Sequence, residues 1–77
     1  MKANLFLMEK KKFNRLKLIL VEKGKFNKWL AGKLKKSETT VSNWCTNSRQ
    51  PSTETLISIA NVLEVQVDKL LMTKNNL

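Results

Sequence analysis

Histidine is absent from this sequence, and cysteine and glycine are nearly so. Cys45 without a histidine cannot form the usual nucleophile–base pair of covalent catalysis or a Cys/His zinc site. Gly24 and Gly32 are the only glycines, so no glycine-rich loop can cradle a phosphate group. The acidic residues are scattered and show no paired spacing on a helical face. We therefore expect a protein that is not an enzyme and that carries no cofactor and no metal ion.

Long hydrophobic runs are also missing. The longest, Leu5–Met8 and Leu18–Val21, are far too short to span a bilayer. A single cysteine excludes an internal disulfide, and the sequence shows no signal peptide. Together these features indicate a reducing cytoplasm and no membrane partner. Cys45 stands next to Trp44 at the end of a predicted helix, so we expect it to be packed rather than to act as a redox switch.

Positive charge is abundant but unevenly distributed. The chain has 15 Lys and Arg against 6 Asp and Glu, which gives a net charge of +9 in 77 residues. Residues 1–36 contain twelve of the basic residues and only two of the acidic ones, whereas residues 37–77 are close to neutral. A strong positive field attracts polyanions and speeds their association. This asymmetry favours a nucleic-acid partner over a basic surface that only aids solubility.

The length and composition of the chain predict one small domain. We assign residues 13–73 to that domain, residues 1–12 to an N-terminal arm and residues 74–77 to a disordered tail. The arm combines an apolar patch, Leu5 to Leu7, with a lysine run, Lys10 to Lys12. Three interpretations of the arm stay open: a frayed end, a dimer contact, or an extension upstream of a second start at Met8.

Hydrophobic spacing predicts that the first helix covers residues 13–23 and ends at Gly24. Leu18 and Val21 lie outside its inward stripe and add apolar surface that needs covering, by the arm or by another subunit. The inward stripe itself consists of Phe13, Leu16, Ile19, Leu20 and Lys23.

Four further helices complete a predicted all-α fold. The second covers residues 27–34, and Asn27 is the only residue at its start that can cap it through a side chain. The third covers residues 38–45 behind a Ser37 cap, and the fourth follows a Ser52 cap. A short fifth helix is expected around Asp68–Met72. The core positions predicted for the fourth helix are Leu56, Ile59, Ala60 and Leu63.

The stretch from residue 37 to residue 51, SETTVSNWCTNSRQP, has an unusual division of residue types. Val41 and Trp44 lie on one side of the predicted third helix, small polar residues lie on the other, and a polar turn follows. A helix that enters the DNA major groove needs an inner face anchored on a core and an outer face that offers hydrogen bonds without bulk. The pattern therefore predicts a DNA-reading helix.

Residues 14–71 resemble the Cro/CI-type helix-turn-helix family, also called the XRE family. The matching stretches, in the family's order and spacing, are NRLKLILVEKG, NKWLAGKL, TTVSNW, RQPSTETLISIANVLEV and VDKLL. The resemblance implies a compact, lambda-repressor-like domain of five helices, with residues 27–34 as the positioning helix and residues 38–45 as the recognition helix. It also implies that Ala31 lies where these two helices cross and that Val41 and Trp44 anchor the recognition helix to the core.

The same resemblance implies a set of DNA contacts. Glu38, Thr39 and Asn43 match the family's base-reading sites. Asn27 matches its phosphate contact at the start of the positioning helix, with a purely capping role as the alternative. The remaining positions implied as phosphate or adjacent contacts are Lys28, Ser37, Thr40, Ser42, Asn47, Ser48 and Arg49.

Three features depart from the family's pattern. Lys35 stands where glycine is usual in the turn, so either a lysine adopts positive φ at some cost or the turn differs. Phe26 replaces a small capping residue and Trp29 replaces a polar one, and we expect these aromatics to pack together or on the arm. The recognition helix contains no Lys or Arg, so its DNA affinity would depend on surrounding lysines and on backbone donors.

The implied function is that of a transcriptional regulator, a repressor that acts as a homodimer on an inverted-repeat operator in double-stranded DNA. Such a protein is cytoplasmic and nucleoid-associated, and no small-molecule ligand is evident. The fourth–fifth helix region, with Leu70, Leu71 and Met72, is one candidate dimer face, and Leu18, Val21 and the arm form the other. Two alternatives stay open: an antitoxin-like or coactivator-like protein-interaction adaptor, and non-specific packaging of nucleic acid.

Overall fold

A computed structural model describes residues 13–71 of the chain. The predicted arm, the predicted tail and Met72 lie outside the described residues. Within residues 13–71, the only β-pairing is an isolated antiparallel bridge between Asn14 and Leu71, and the predicted all-α class is confirmed. No helix of this part combines the length and the apolar character needed to cross a membrane. The helices are α1 (Leu16–Glu22), α2 (Asn27–Leu34), α3 (Glu38–Cys45), α4 (Thr53–Leu63) and α5 (Val67–Leu70).

The first helix is shorter than predicted at both ends. The prediction began it at Phe13, but Phe13 is 54% exposed and the helix begins at Leu16. Asn14 explains the difference, because its side-chain Oδ1 accepts a hydrogen bond from the backbone N–H of Leu16 at 2.9 Å. Such a local bond favours a cap or turn over continued helix. Lys23 lies after the last helical residue and is exposed, so its place in the inward stripe is wrong.

Three helices end at a residue in the left-handed conformation. Gly24 follows α1 with a φ of 69° and confirms the predicted stop. Lys35 after α2 and Glu64 after α4 have φ values of 58° and 59°, although L-residues adopt this conformation at a cost that glycine avoids. The following backbone N–H closes each turn by bonding back into the helix: Lys25 to the carbonyl of Leu20, Lys36 to that of Ala31, and Val65 to that of Ala60.

The helix starts agree with the predictions at two positions and disagree at one. Ser37 and Ser52 cap α3 and α4, each accepting the backbone N–H three residues later. At α2 the capping position belongs to Phe26, which makes no side-chain cap, and Asn27 is already the first helical residue. The alternative role of Asn27 as a cap is therefore wrong, and its Oδ1 instead accepts a hydrogen bond from the Cys45 Sγ.

The core lies where α1, α2, α3 and α4 meet, and α5 closes it. Ala31 is buried on α2, and Val41 and Trp44 are buried on α3, as predicted. Leu56 was predicted to lie in the core, but it is only half-buried and packs against the edge of the core. Fully burying a leucine or valine side chain contributes roughly 1.5–3 kcal/mol. The buried apolar side chains of the described part are Leu16, Ile19, Leu20, Leu30, Ala31, Val41, Trp44, Ile59, Ala60, Leu63 and Leu70.

The last described residues are joined to the first ones. α5 ends at Leu70 rather than near residue 72, and Leu71 is extended and pairs with Asn14. The backbone N–H of Arg15 donates to the Leu70 carbonyl at 2.9 Å, and the Arg15 Nε donates to the Lys69 carbonyl at 2.8 Å. Leu70 is fully buried in this arrangement, so its predicted place in a dimer face is wrong. Leu71 is half-buried.

Candidate nucleic-acid interface

The third helix separates its buried and its polar residues. Val41 and Trp44 are buried, whereas Glu38 and Thr39 are exposed and Asn43 is half-buried. The side chains of Glu38, Thr39 and Asn43 form no hydrogen bond within residues 13–71. This helix is therefore held by its apolar side and presents polar groups whose hydrogen-bonding capacity is unused.

Ser37 and Thr40 are linked at the start of the third helix. The Ser37 Oγ accepts the Thr40 backbone N–H at 3.0 Å and donates to the Thr40 Oγ1 at 2.9 Å. Thr40 is half-buried, as is the neighbouring Ser42, whose side chain has no hydrogen bond in the described part. Glu38 lies in the first turn, where a carboxylate interacts favourably with the helix dipole. Ser37 is thus mainly occupied in fixing where the helix begins.

The start of α2 lies next to the end of α3. The Cys45 Sγ donates a weak hydrogen bond to the Asn27 Oδ1 at 3.4 Å. Burial raises the pKa of the Cys45 thiol, although the nearby Lys17 ammonium acts to lower it, so the thiol keeps its proton at neutral pH. With Oδ1 engaged, the donating end of the Asn27 amide is left for another partner. Lys28 beside it is exposed.

A tight loop follows α3. The backbone N–H groups of Ser48 and Arg49 both donate to the Asn43 carbonyl, at 2.9 Å and 3.2 Å. The Thr46 Oγ1 lies 2.8 Å from the Ser48 Oγ. Ser48 and Arg49 are exposed, so the loop carries a hydroxyl and a guanidinium at the end of α3. Because the Cys45–Asn27 bond joins this end of α3 to the start of α2, both segments belong to one surface.

Asn47 has a structural role in addition to the phosphate contact predicted for it. Its Oδ1 accepts the backbone N–H groups of Phe13 and Asn14 at 2.8 Å and 3.0 Å, and also the Gln50 Nε2 at 3.0 Å. Its Nδ2 donates to the Asn14 carbonyl at 3.0 Å. Asn47 is also in the left-handed conformation, with a φ of 63°. The side chain connects the loop to the start of the domain, and the phosphate contact of Asn47 stays a prediction.

Asn14 has a structural role at this site that the sequence analysis did not predict. It is 2% exposed, and its Nδ2 donates to the Trp44 carbonyl at 3.1 Å and to the Gln50 Oε1 at 2.7 Å. Its amide therefore holds both the end of the recognition helix and the loop behind it. The only signal in the sequence is an asparagine two residues before a buried leucine, a place typical of a helix cap.

The two aromatic departures from the family's pattern, Phe26 just before α2 and Trp29 within it, lie in different environments. Trp29 packs partly on the core, and the Nζ atoms of Lys25 and Lys33 lie 4.7 Å and 5.7 Å from its ring centroid. Both are cation–π contacts. Phe26 is 77% exposed. Trp29 is thus covered by lysine side chains and by the core. Residues 13–71 contain no cluster of His, Cys, Asp or Glu that could hold a metal ion.

Comparison with known proteins agrees with this geometry. Residues 16–70 match the family model described as helix-turn-helix. A crystal structure named "putative DNA-binding protein", from Bacteroides fragilis, is 43% identical to the chain and superposes with a TM-score of 0.77. The match covers 78% of this chain and 97% of that one. No curated protein matches significantly. The chain therefore belongs to the Cro/CI-type helix-turn-helix family, whose members are DNA-binding regulators.

Proposed function

We propose that this protein is a sequence-specific transcriptional regulator that binds double-stranded DNA, and that it acts as a homodimeric repressor on an inverted-repeat operator. The observation that carries the proposal is the outer side of α3. The side chains of Glu38, Thr39 and Asn43 have no hydrogen-bond partner in the described part of the chain, while the inner side is fixed by Val41 and Trp44. Unsatisfied donors and acceptors on a rigid helix suit the major groove, where base edges offer matching groups.

Base reading is assigned to Glu38, Thr39 and Asn43. The amide of Asn43 can donate to and accept from an adenine edge at the same time, and the carboxylate of Glu38 can accept from a cytosine amino group. Thr39 offers a hydroxyl to either base and a methyl group to thymine. The free side chains of all three residues support this assignment.

Phosphate binding is assigned to two segments that meet beside the Cys45–Asn27 bond. At the start of α2, Asn27 and Lys28 provide a side-chain amide, an ammonium and first-turn backbone N–H groups that have no helical acceptor. Ser48 and Arg49 provide the second segment, after α3. Adjacent hydroxyl groups that complete the surface belong to Ser37, Thr40 and Ser42.

The size of the reading helix supports a homodimer. α3 has eight residues and is about 12 Å long, so one copy reaches only a few base pairs. Two copies on an inverted repeat, with half-sites separated by roughly 34 Å, double the sequence that is read. Repression then results when the bound dimer blocks access of the polymerase to the promoter.

Selection from a random double-stranded DNA library at near-physiological salt tests the proposal. We expect enrichment of an inverted repeat that binds at least about 10³-fold more tightly than unrelated DNA. Tight binding without enrichment would indicate packaging of nucleic acid instead. Absence of binding would indicate an adaptor that recognises proteins through the same fold.

Asn43→Ala tests the base-reading assignment on the selected operator. We expect a loss of about 1–3 kcal/mol in binding free energy and relaxed preference at one base position. Asn61→Ala is the control, because Asn61 is an exposed asparagine on α4, outside the recognition helix. A uniform loss of affinity for every sequence would remove Asn43 from the base-reading set.

A further inference from the structure

A groove of about 490 Å³ lies between α1 and the end of α3. Its apolar lining includes Leu18, Val21 and the thiol of Cys45. Leu18 is 48% exposed and Val21 is 61% exposed, although both are large aliphatic side chains. Neither belongs to the DNA-reading surface. Adjacent exposed apolar side chains in a concave site are typical of a surface that binds another apolar segment.

The charged residues that line the groove help to distinguish two possible occupants, a second copy of the chain and the arm of the same chain. Arg15 and Lys17 both border the groove. A second copy seated here through the same groove would bring these cations against their own symmetry equivalents, and like charges at such close range repel. The arm segment at residues 3–9, ANLFLME, contains no basic residue and carries Glu9. Its apolar centre complements the apolar lining, and Glu9 is opposite in charge to Arg15 and Lys17, whereas Lys10 to Lys12, which follow the segment, have the same charge as these two residues.

The arm also begins at the groove. The backbone N–H of Phe13 donates to the Asn47 Oδ1 at 2.8 Å, and Asn47 is itself part of the groove lining. Leu5–Met8 precede Phe13 by five to eight residues, which corresponds to about 16–26 Å of extended chain or about 8–12 Å of helix. The seven residues of α1 measure about 10 Å, so a helical arm brings the segment within reach of the groove, and an extended arm is long enough to do so if it turns back.

We propose that the apolar arm segment Leu5–Met8 docks in this groove of its own chain. Because the segment is tethered beside the groove, its effective concentration there is on the order of millimolar before any contact forms. Docking covers Leu18 and Val21. It also holds the lysine run Lys10 to Lys12 beside the loop that follows the recognition helix, because residue 12 directly precedes the anchored Phe13. The contact requires no DNA, so it is separable from the DNA-binding proposal.

Disulfide formation with the native Cys45 tests the docking. Leu5→Cys supplies a second thiol on the arm, and oxidised glutathione is the oxidant. The matched control carries the same Leu5→Cys together with Phe6→Ser and Leu7→Ser, so that tether length is unchanged and the apolar side chains are removed. We expect the intramolecular disulfide to form about tenfold faster in the chain with the apolar arm. Equal rates would show that the tether alone brings the thiols together and would overturn the proposal.

Two further measurements identify the occupant. Val21→Ser should slow the intramolecular reaction of the Leu5→Cys chain, whereas Ile57→Ser, which alters an aliphatic residue on α4 that is 47% exposed, should not. Covalent dimers in place of the intramolecular product would make a second copy the occupant and overturn the proposal. In the unmodified chain, nuclear Overhauser contacts between the Phe6 ring and the methyl groups of Leu18 and Val21 are expected. If neither the intramolecular disulfide nor these nuclear Overhauser contacts are observed, the arm does not dock in the groove.

Discussion

Asn14 joins three parts of the domain through one small side chain. Its amide bonds to the Trp44 carbonyl, to Gln50 and to the N–H of Leu16, and its backbone pairs with Leu71. The Trp44 and Gln50 partners lie 30 and 36 residues away in the chain. An amide buried among polar partners stabilises a fold mainly because its removal leaves those partners unsatisfied. Asn14 therefore matters for stability and for the placement of the recognition helix.

Asn14→Ala should lower the free energy of unfolding by about 2–3 kcal/mol, because the Leu16 N–H loses its buried acceptor and the Trp44 carbonyl keeps only the donor from the Asn47 backbone. Urea unfolding measured by fluorescence reports the change. Asn61→Ala, at an exposed position, should stay within about 0.5 kcal/mol of the native chain. Equal stabilities for the two variants would show that the Asn14 network contributes nothing.

Lys35 carries a conformational cost that glycine would remove. Its φ of 58° lies in the left-handed region, which is unfavourable for any residue with a Cβ. Lys35→Gly should stabilise the domain by about 0.5–1 kcal/mol, after allowance for the greater freedom of glycine in the unfolded chain. Lys36→Gly is the matched control, because it removes the same charge at a position without positive φ. Thermal unfolding measures both variants. We expect the melting temperature to rise for Lys35→Gly and to fall or stay unchanged for Lys36→Gly.

At the scale of helices, the serine caps of α3 and α4 were predictable from the sequence, but the starts of α1 and α2 were not. Ser37 and Ser52 lie before apolar-periodic segments, and both cap as expected. The start of α1 was misplaced because Asn14 interrupts the helical spacing, and Asn27 was misassigned because Phe26 takes the capping position without a side-chain bond. Local rules thus succeed where the capping side chain acts on its own helix.

Ser37→Ala and Ser52→Ala form a matched pair, because the two serines make nearly the same bonds. Ser37 accepts its N–H at 3.0 Å and Ser52 at 3.2 Å, and each donates to a threonine Oγ1 at 2.9 Å. Each substitution should cost about 1 kcal/mol of folding stability. Only Ser37→Ala should weaken operator binding, by about three- to tenfold, because Ser37 begins the recognition helix and contributes a polar contact. Similar losses of affinity in both variants would contradict the assignment of Ser37 to the DNA surface.

At the scale of the whole molecule, the basic charge and the family fold support each other. The net charge of +9 is concentrated in residues 1–36, which contain α1 and the positioning helix α2. The recognition helix itself has no basic residue. We therefore expect affinity for phosphate to be supplied around α3 rather than by it, so that salt acts mainly on affinity and base contacts mainly on specificity.

Lys28→Ala should weaken binding to all sequences alike and reduce the slope of log affinity against log salt concentration by about one unit. Lys69→Ala is the control for net charge, because Lys69 is an exposed lysine on α5, outside the helix-turn-helix. It should leave the slope nearly unchanged. Titration of operator DNA at several salt concentrations measures both slopes, and equal reductions would make the effect one of total charge alone.

The sequence by itself determined the helical class, the order of the helices, the serine caps, the buried anchors Val41 and Trp44, and the family. Hydrophobic periodicity and helix capping involve residues only a few positions apart, so both can be recognised from the sequence alone. The tertiary structure alone decided the burial of Asn14 and Leu70, the bonding of Asn47 to Asn14 and the contact of Cys45 with Asn27. Cys45 and Asn27 are 18 residues apart, and Asn47 and Asn14 are 33 apart. Which of these distant residues meet depends on how the helices pack, and the helical periodicity of the sequence does not indicate it.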